Sequence, residues 1–130
     1  MNTAFLNIIP VLSSADVARD IAWYKEKMGF ECLYKTYTDE GDLINYAVLS
    51  RNNQYIHLQW HAGTEEDPLL GGAVIRIYVK HIQPLFEEFV QRGTVTQDKF
   101  RANTPWKTNE FGFYDLNNNA IFIMEDIAKY

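Results

Sequence analysis

The sequence predicts an α+β protein of two βαβββ modules, which would form one curved mixed sheet with the helices on its outer face. Three observations predict this class. The order strand, helix and three strands occurs twice along the 130 residues. Apolar and turn residues of the first half recur in the second at an offset of about 65 residues. One half alone is too small to bury both faces of its sheet, so the halves are expected to pack as a single domain over residues 1–130.

The first module is predicted over about residues 1–63. An apolar strand covers residues 4–12 and a helix opens within residues 14–17, where serine and aspartate can cap it. An apolar stripe at helical spacing carries the helix to about Met28, and Gly29 suits its C-cap. Strands are then predicted over residues 30–37, 43–49 and 54–61.

The second module is predicted over about residues 72–130, after a linker loop of residues 63–72. A strand covers residues 72–80, a helix residues 81–92, and a further strand residues 94–101. The closing hairpin has strands over residues 105–115 and 120–125, joined by an asparagine-rich turn.

The repeat can be followed position by position, because apolar residues align with apolar residues and turns with turns. The aligned pairs are Ile9 with Val74, Val17 with Ile82, Ile21 with Phe86, Tyr24 with Phe89, Tyr46 with Phe111, Val48 with Phe113, Ile56 with Ile121 and Leu58 with Ile123. The turn Asn52-Asn53 aligns with Asn117-Asn118.

Composition narrows the function classes. The formal charge of −5 and the lack of a Lys/Arg cluster argue against a nucleic-acid partner. An acidic balance suits a cationic ligand, although it is also common among soluble proteins. The single cysteine, Cys32, cannot form an internal disulfide, and no signal peptide or membrane-spanning stretch is found, so a cytoplasmic protein without a membrane partner is expected.

Strand periodicity assigns side chains to two faces of the sheet. One face is aliphatic and should pack on the helices. The other should line a concave cleft or a subunit interface, and its apolar surface with a few polar groups is typical of a small-molecule site. The residues assigned to this cleft are His57, Gln59, Arg76, Tyr78, Phe122 and Met124.

Two segments resemble the vicinal oxygen chelate superfamily, which includes glyoxalase I, extradiol dioxygenases and bleomycin resistance proteins. One runs from Ile9-Pro10-Val11-Leu12 to Met28-Gly29-Phe30-Glu31, and the other contains Pro105-Trp106, Glu110-Phe111, Asp115 and Ile121-Phe122. The bleomycin-resistance branch is the most similar. The resemblance implies the duplicated fold and a homodimer whose clefts lie between halves of two subunits.

The resemblance also permits a test for metal. Metal-dependent members place ligands on the first, fourth, fifth and eighth strands, which here match Ile9, His57, Val74 and Phe122. Only His57 can coordinate, and a divalent ion needs at least three protein ligands. A register shift of one residue in the eighth strand would add Glu125 and give only two. We therefore expect no metal site and no other cofactor.

Three side chains have competing interpretations. His57 is either a hydrogen-bonded histidine of the cleft wall or a ligand-contacting or acid/base group. Trp106 is either a stacking platform, as the resemblance to bleomycin-binding proteins implies, or a lid over the core. Arg76, with Glu110 as its expected partner, is either structural or binds a carboxylate of the ligand.

The favoured function is a metal-free small-molecule binding protein that sequesters a ligand in a cleft of a dimer. The acidic charge and the aromatic side chains of the cleft suit a cationic, aromatic ligand. No catalytic residue is assigned. The alternative is a metal-dependent lyase, isomerase or dioxygenase of the same superfamily, so enzyme activity is left open. A third hypothesis is an interaction module with an unused cleft.

Overall fold

The computed structural model describes residues 2–128 and confirms the predicted α+β class. Met1, Lys129 and Tyr130 of the predicted domain lie outside the described residues. The elements are β1 (Val11–Ser14), α1 (Val17–Met28), β2 (Glu31–Tyr37), β3 (Ile44–Arg51), β4 (Gln54–Trp60), β5 (Val74–Tyr78), α2 (Ile82–Gln91), β6 (Thr108–Tyr114) and β7 (Ala120–Asp126). A 3₁₀ helix covers Gln97–Lys99.

Strand hydrogen bonds organise the chain into two mixed sheets, one from each half. The first, which we call sheet A, has the order β1-β4-β3-β2, and the second, sheet B, has the order β5-β7-β6. In each sheet the first strand of the module lies parallel to the last, and the other neighbours are antiparallel. The halves therefore share a topology, but the sheet of the first half has four strands and the sheet of the second half has three.

Each helix begins and ends where local chemistry satisfies its backbone. Asp16 caps α1 by accepting a hydrogen bond from the Arg19 backbone N–H at 3.0 Å. Gly29 closes the helix with φ of +69°, a left-handed conformation that glycine adopts without strain, which confirms the predicted C-cap. No helix within residues 2–128 is both long and apolar enough to cross a membrane.

The core lies between the helices and one face of each sheet. In sheet A this face carries Ala47, Leu49, Ile56 and Leu58, and in sheet B it carries Phe111, Ile121 and Ile123. From α2, Phe86 and Phe89 pack on Phe111 with ring centroids 5.2 and 5.6 Å apart. The opposite face of each sheet is thereby turned away from the core and is available for function.

Side chains from both halves join the two modules. The Tyr24 hydroxyl on α1 donates a buried 2.6 Å hydrogen bond to the Asp115 carboxylate in the closing hairpin. The Trp23 ring packs near the Phe113 ring of β6, with centroids 6.2 Å apart. The Arg51 guanidinium, next to the first hairpin, donates to both oxygens of a carboxylate on α2, that of Glu88.

Two predicted strands differ from the structure. The first covers Val11–Ser14 and overlaps the expected residues 4–12 only at Val11 and Leu12, because β4 pairs with this segment only from His57 onward. The prediction of a strand over residues 94–101 is wrong. The polar sequence there closes a 3₁₀ turn instead, and only Arg101 pairs, through a bridge to Glu110.

The offset of 65 residues also fails within one hairpin strand. Ile56 and Ile121 occupy equivalent positions, but their cross-strand partners are Leu49 and Phe113, which lie 64 residues apart. The cause is the turn, because four residues separate the paired Ser50 and Tyr55 in the first hairpin and five separate their counterparts Tyr114 and Ala120 in the second. Tyr46 therefore lies opposite Gln59, on the face away from α1, and is not the counterpart of the buried Phe111.

Candidate functional site

The outward face of sheet B is apolar, aromatic and open. We call it the sheet-B face; its members are Val74, Arg76, Tyr78, Glu110, Gly112, Tyr114, Ala120, Phe122 and Met124. Phe122 stands on the central strand, opposite Arg76 of β5 and Gly112 of β6. Val74, Tyr78 and Tyr114 are 63%, 58% and 68% exposed, so these parts of the face are accessible in the single chain, whereas Met124 and Glu110 are buried.

Gly112 gives this face its shape. A Cβ atom at this position would stand 2.7 Å from Cδ1 and 2.8 Å from Cε1 of Phe122, too close for any real contact. The Phe122 ring therefore lies across β6 in the space that a side chain at residue 112 would fill. Glycine here serves a close approach, and it allows an aromatic ring from the central strand to lie over β6.

Trp106 and Glu110 form one hydrogen-bonded unit at the end of the sheet-B face. Glu110 is buried, and its Oε1 atom accepts hydrogen bonds from the Trp106 indole N–H and the Thr108 hydroxyl, both at 2.6 Å. The Arg101 guanidinium lies over the Trp106 ring, 5.2 Å from its centroid. The indole is thus held in place while remaining 41% exposed.

The expected pair of Arg76 with Glu110 is absent from residues 2–128. Glu110 takes its hydrogen bonds from Trp106 and Thr108, and Arg76 is exposed rather than buried. The separation follows from topology, because β7 lies between β5 and β6 and the two residues are also staggered by one row. The pair was expected because a buried guanidinium needs a partner, but the Arg76 guanidinium is in contact with water and does not need one.

His57 and Gln59 lie on the corresponding face of sheet A. The Nδ1 atom of His57 is 2.7 Å from the hydroxyl oxygen of Tyr46, on the neighbouring strand. The rings meet edge to face with centroids 5.4 Å apart. Gln59 is exposed and pairs with Tyr46 across β3 and β4. His57 is therefore held by a hydrogen bond in the wall of sheet A.

The predicted site residues thus fall into two groups on separate sheets. Arg76, Tyr78, Trp106, Glu110 and Phe122 gather at the sheet-B face, whereas His57 and Gln59 belong to sheet A. A cavity of about 630 Å³ at the seam between the modules is lined by Arg76 and Tyr78, but by none of the other five. Its remaining walls come from residues 7–10, from the hairpin at 51–56 and from core side chains.

The side chains at the positions of the expected metal ligands do not fit a metal ion. His57 faces Tyr46, while Val74 and Phe122 offer no donor atom and Ile9 precedes the shortened first strand. Within residues 2–128, no group of three or more His, Cys, Asp or Glu side chains is placed to hold a metal.

The register of β7 also places Glu125 away from this face. Its carboxylate accepts hydrogen bonds from the backbone N–H groups of His81 and Ile82 at 3.0 and 3.1 Å, at the start of α2. These hydrogen bonds lower the pKa of Glu125. It serves as the N-terminal cap of α2, whose own N-cap residue provides no side-chain hydrogen bond.

Three residues of this region were not predicted from the sequence. Gly112 gave a weak signal as a glycine inside a strand, which often marks a close approach of another group. Arg101 was hidden because its segment was expected to be a strand of its own. Tyr46 was aligned with the buried Phe111 because the difference in turn length was not recognised.

Comparison with known proteins gives a consistent result. Residues 8–122 match the family model of the Glyoxalase/Bleomycin resistance protein/Dioxygenase superfamily. A bleomycin resistance protein of Geobacillus stearothermophilus is 26% identical over an alignment of 138 residues, which covers 95% of this chain and 99% of that protein.

Solved structures show the same fold. A glyoxalase-related enzyme from Clostridium phytofermentans superposes with a TM-score of 0.72 at 18% identity, covering 96% of this chain and 98% of the other. A bleomycin-binding protein from bleomycin-producing Streptomyces verticillus, complexed with copper(II)-bleomycin, superposes with a TM-score of 0.67 at 20% identity. The match covers 94% of this chain and 97% of the other.

Proposed function

The chain belongs to the Glyoxalase/Bleomycin resistance protein/Dioxygenase superfamily, and on that premise we propose that it is a metal-free protein that binds and sequesters a small molecule. The ligand would lie on the sheet-B face, in a cleft completed by sheet A of a second copy. One observation carries the proposal. Phe122, at the position of a metal ligand in catalytic relatives, is an aromatic ring lying across Gly112 on an accessible face.

The chemistry of the face supports binding rather than catalysis. An aromatic ring beside tyrosine and tryptophan offers stacking and apolar contact to a flat ligand. The one histidine of the predicted site, His57, lies on the other sheet in contact with Tyr46. The buried acid, Glu110, already accepts two hydrogen bonds within the protein.

Exposed apolar surface supports the completion of the site by a second copy. Phe5, Leu6 and Ile8 are 97%, 89% and 95% exposed in the single chain, and Val74 beside the site is also open. Large apolar side chains exposed to this extent suggest a surface that a partner covers. Burial of these side chains between two copies would enclose the sheet-B face, and the His57 and Gln59 side chains of the second copy would form its opposite wall.

The relatives suggest the first ligand to test. A bleomycin resistance protein covers nearly this whole chain at 26% identity, and structural neighbours include proteins complexed with bleomycin. Equilibrium titration with bleomycin, followed by tryptophan fluorescence, tests this drug directly, and saturable binding tighter than about 1 mM would identify it as a ligand. Phe122→Ala should weaken this binding, whereas Glu26→Gln, an exposed change on α1, should not.

Two further readouts separate sequestration from catalysis. Ligand recovered after incubation should have unchanged mass, and sedimentation should give a dimer. Conversion of the ligand, or a stoichiometric metal in protein purified without chelator, would favour the metal-dependent enzyme instead. Absence of bleomycin binding would exclude that drug as the ligand and leave the binding face to be probed with other molecules.

A further inference from the structure

We infer that the ligand of the sheet-B face is a planar aromatic anion, whose ring stacks on Phe122 and whose acid group pairs with Arg76. The inference rests on the proposed function and specifies its ligand class. It differs from the expectation drawn from net charge, which favoured a cation. The reason is that charge on this face is distributed differently from charge on the chain as a whole.

Arg76 is a cation without a described counter-ion. It is exposed, and within residues 2–128 no hydrogen bond or ion pair engages its guanidinium. Its nearest neighbour across the parallel strands is Phe122. On its other side it borders the seam cavity of about 630 Å³, whose lining contains no aspartate or glutamate. A guanidinium in such surroundings is suited to a bidentate contact with a carboxylate.

The acids of the sheet-B face cannot compensate Arg76. Glu110 is buried and accepts hydrogen bonds from Trp106 and Thr108, and it lies two strands, or about 10 Å, from the Arg76 strand. Asp126, on the same face of β7, lies four residues beyond Phe122, or about 13 Å along the strand. The second cation, Arg101, stacks over Trp106 and adds positive potential near the site.

Planarity follows from the position of the Phe122 ring. The ring lies across Gly112, so it presents a flat surface over β6. An aromatic ligand can stack on this surface with an offset, which is the favoured arrangement of two rings. The ring lies over β6, two strands or about 10 Å from the Arg76 strand, so a two-ring ligand stacked on it can extend across β7 and bring a carboxylate at its far edge to the long Arg76 side chain. A bulky aliphatic anion would satisfy Arg76 but lose the ring contact.

Three naphthalene probes of one shape and different charge test the inference. Dissociation constants are measured for 2-naphthoate, neutral 2-naphthamide and cationic 2-naphthylmethylamine at pH 7 and constant ionic strength. We expect 2-naphthoate to bind about tenfold or more tightly than the amine. Arg76→Met, which keeps the apolar stem, should weaken 2-naphthoate binding by about tenfold and leave 2-naphthamide unchanged. Lys35→Met, an exposed cation of sheet A, is the matched control and should change neither.

The outcomes separate the inference from the proposed function. Equal binding of the three probes, tighter binding of the amine, or an Arg76→Met protein that retains 2-naphthoate would each overturn the anion assignment while leaving a binding face. Absence of binding by all three would overturn the proposed function together with the inference. Thermal unfolding of each variant confirms that the exposed substitutions leave the fold intact.

Discussion

The hydrogen bond between Tyr24 and Asp115 is the sharpest test of how the two modules are held together. Tyr24→Phe removes one buried hydroxyl that donates to a carboxylate at 2.6 Å and keeps the ring. The hydroxyl stays protonated, because burial and the nearby carboxylate raise the pKa of Tyr24. The variant therefore isolates a single charge-assisted hydrogen bond between α1 and the closing hairpin.

The magnitude follows from what remains at the carboxylate. Hydrogen bonds to charged groups contribute about 1.5–3 kcal/mol, and loss of a partner leaves Asp115 partly unsatisfied. Asp115 still accepts from the Asn119 amide and from the backbone N–H groups of Asn117 and Asn119, all at 2.9 Å. We therefore expect a loss near the lower end of that range.

Urea unfolding at constant protein concentration measures the effect. With a slope of about 1–3 kcal/mol per molar urea, the midpoint of Tyr24→Phe should fall by about 1 M. Tyr114→Phe is the matched control, since that side chain is 68% exposed and should change stability by less than about 0.5 kcal/mol. If Tyr24→Phe is as stable as the control, the hydrogen bond does not stabilise the fold and the reasoning is refuted.

Three further variants test other parts of the structure. The guanidinium groups of Arg51 and Arg92 lower the pKa of Glu88 to about 2, so the contribution of Glu88 to stability is present above the unfolded pKa near 4.5 and is lost as the pH falls toward 2. In urea unfolding, Glu88→Gln should therefore lose less stability than the wild type between pH 5 and pH 3, and an equal loss would contradict this. Gly112→Ala should displace the Phe122 ring, weaken 2-naphthamide binding and lower the free energy of unfolding by about 1–3 kcal/mol. Adding Phe122→Leu should restore stability but not binding, and a Gly112→Ala protein with unchanged stability and binding would show that the ring does not lie over residue 112. Glu110→Ala releases the Trp106 indole, so the tryptophan emission should shift to longer wavelength, and an unchanged spectrum would count against the hydrogen bond.

The fold was predictable where local chemistry and periodicity agree. Gly29 ends α1 because a left-handed residue is needed there, and the period-two pattern around Ile56 and Ile121 assigns the core faces correctly. The expected strand at residues 94–101 failed because the repeat was extended to a segment whose polar residues close a turn on themselves. The first strand failed in part because a strand needs a neighbour, which the sequence alone does not place.

The candidate site was predictable as a set of face positions but not as a set of contacts. Alternation placed Arg76, Tyr78 and Phe122 on one face, and this is what the strand register shows. Partners depend on which strands are adjacent, so Glu110 was assigned to Arg76 although β7 separates their strands. The hydrogen bond from Trp106 to Glu110 depends on the path of a loop, which the periodicity of the sequence does not encode.

The most direct measurement of the proposed function is a map of the ligand on the protein surface. Backbone amide NMR signals of the ¹⁵N-labelled protein are followed during titration with 2-naphthamide, whose neutrality makes the result independent of the charge assignment. We expect saturable shifts that are largest at Arg76, Gly112 and Phe122. Shifts confined to the other cavity, of about 390 Å³ beside Arg19 and Leu116, or no saturable shift at all, would contradict binding at the sheet-B face.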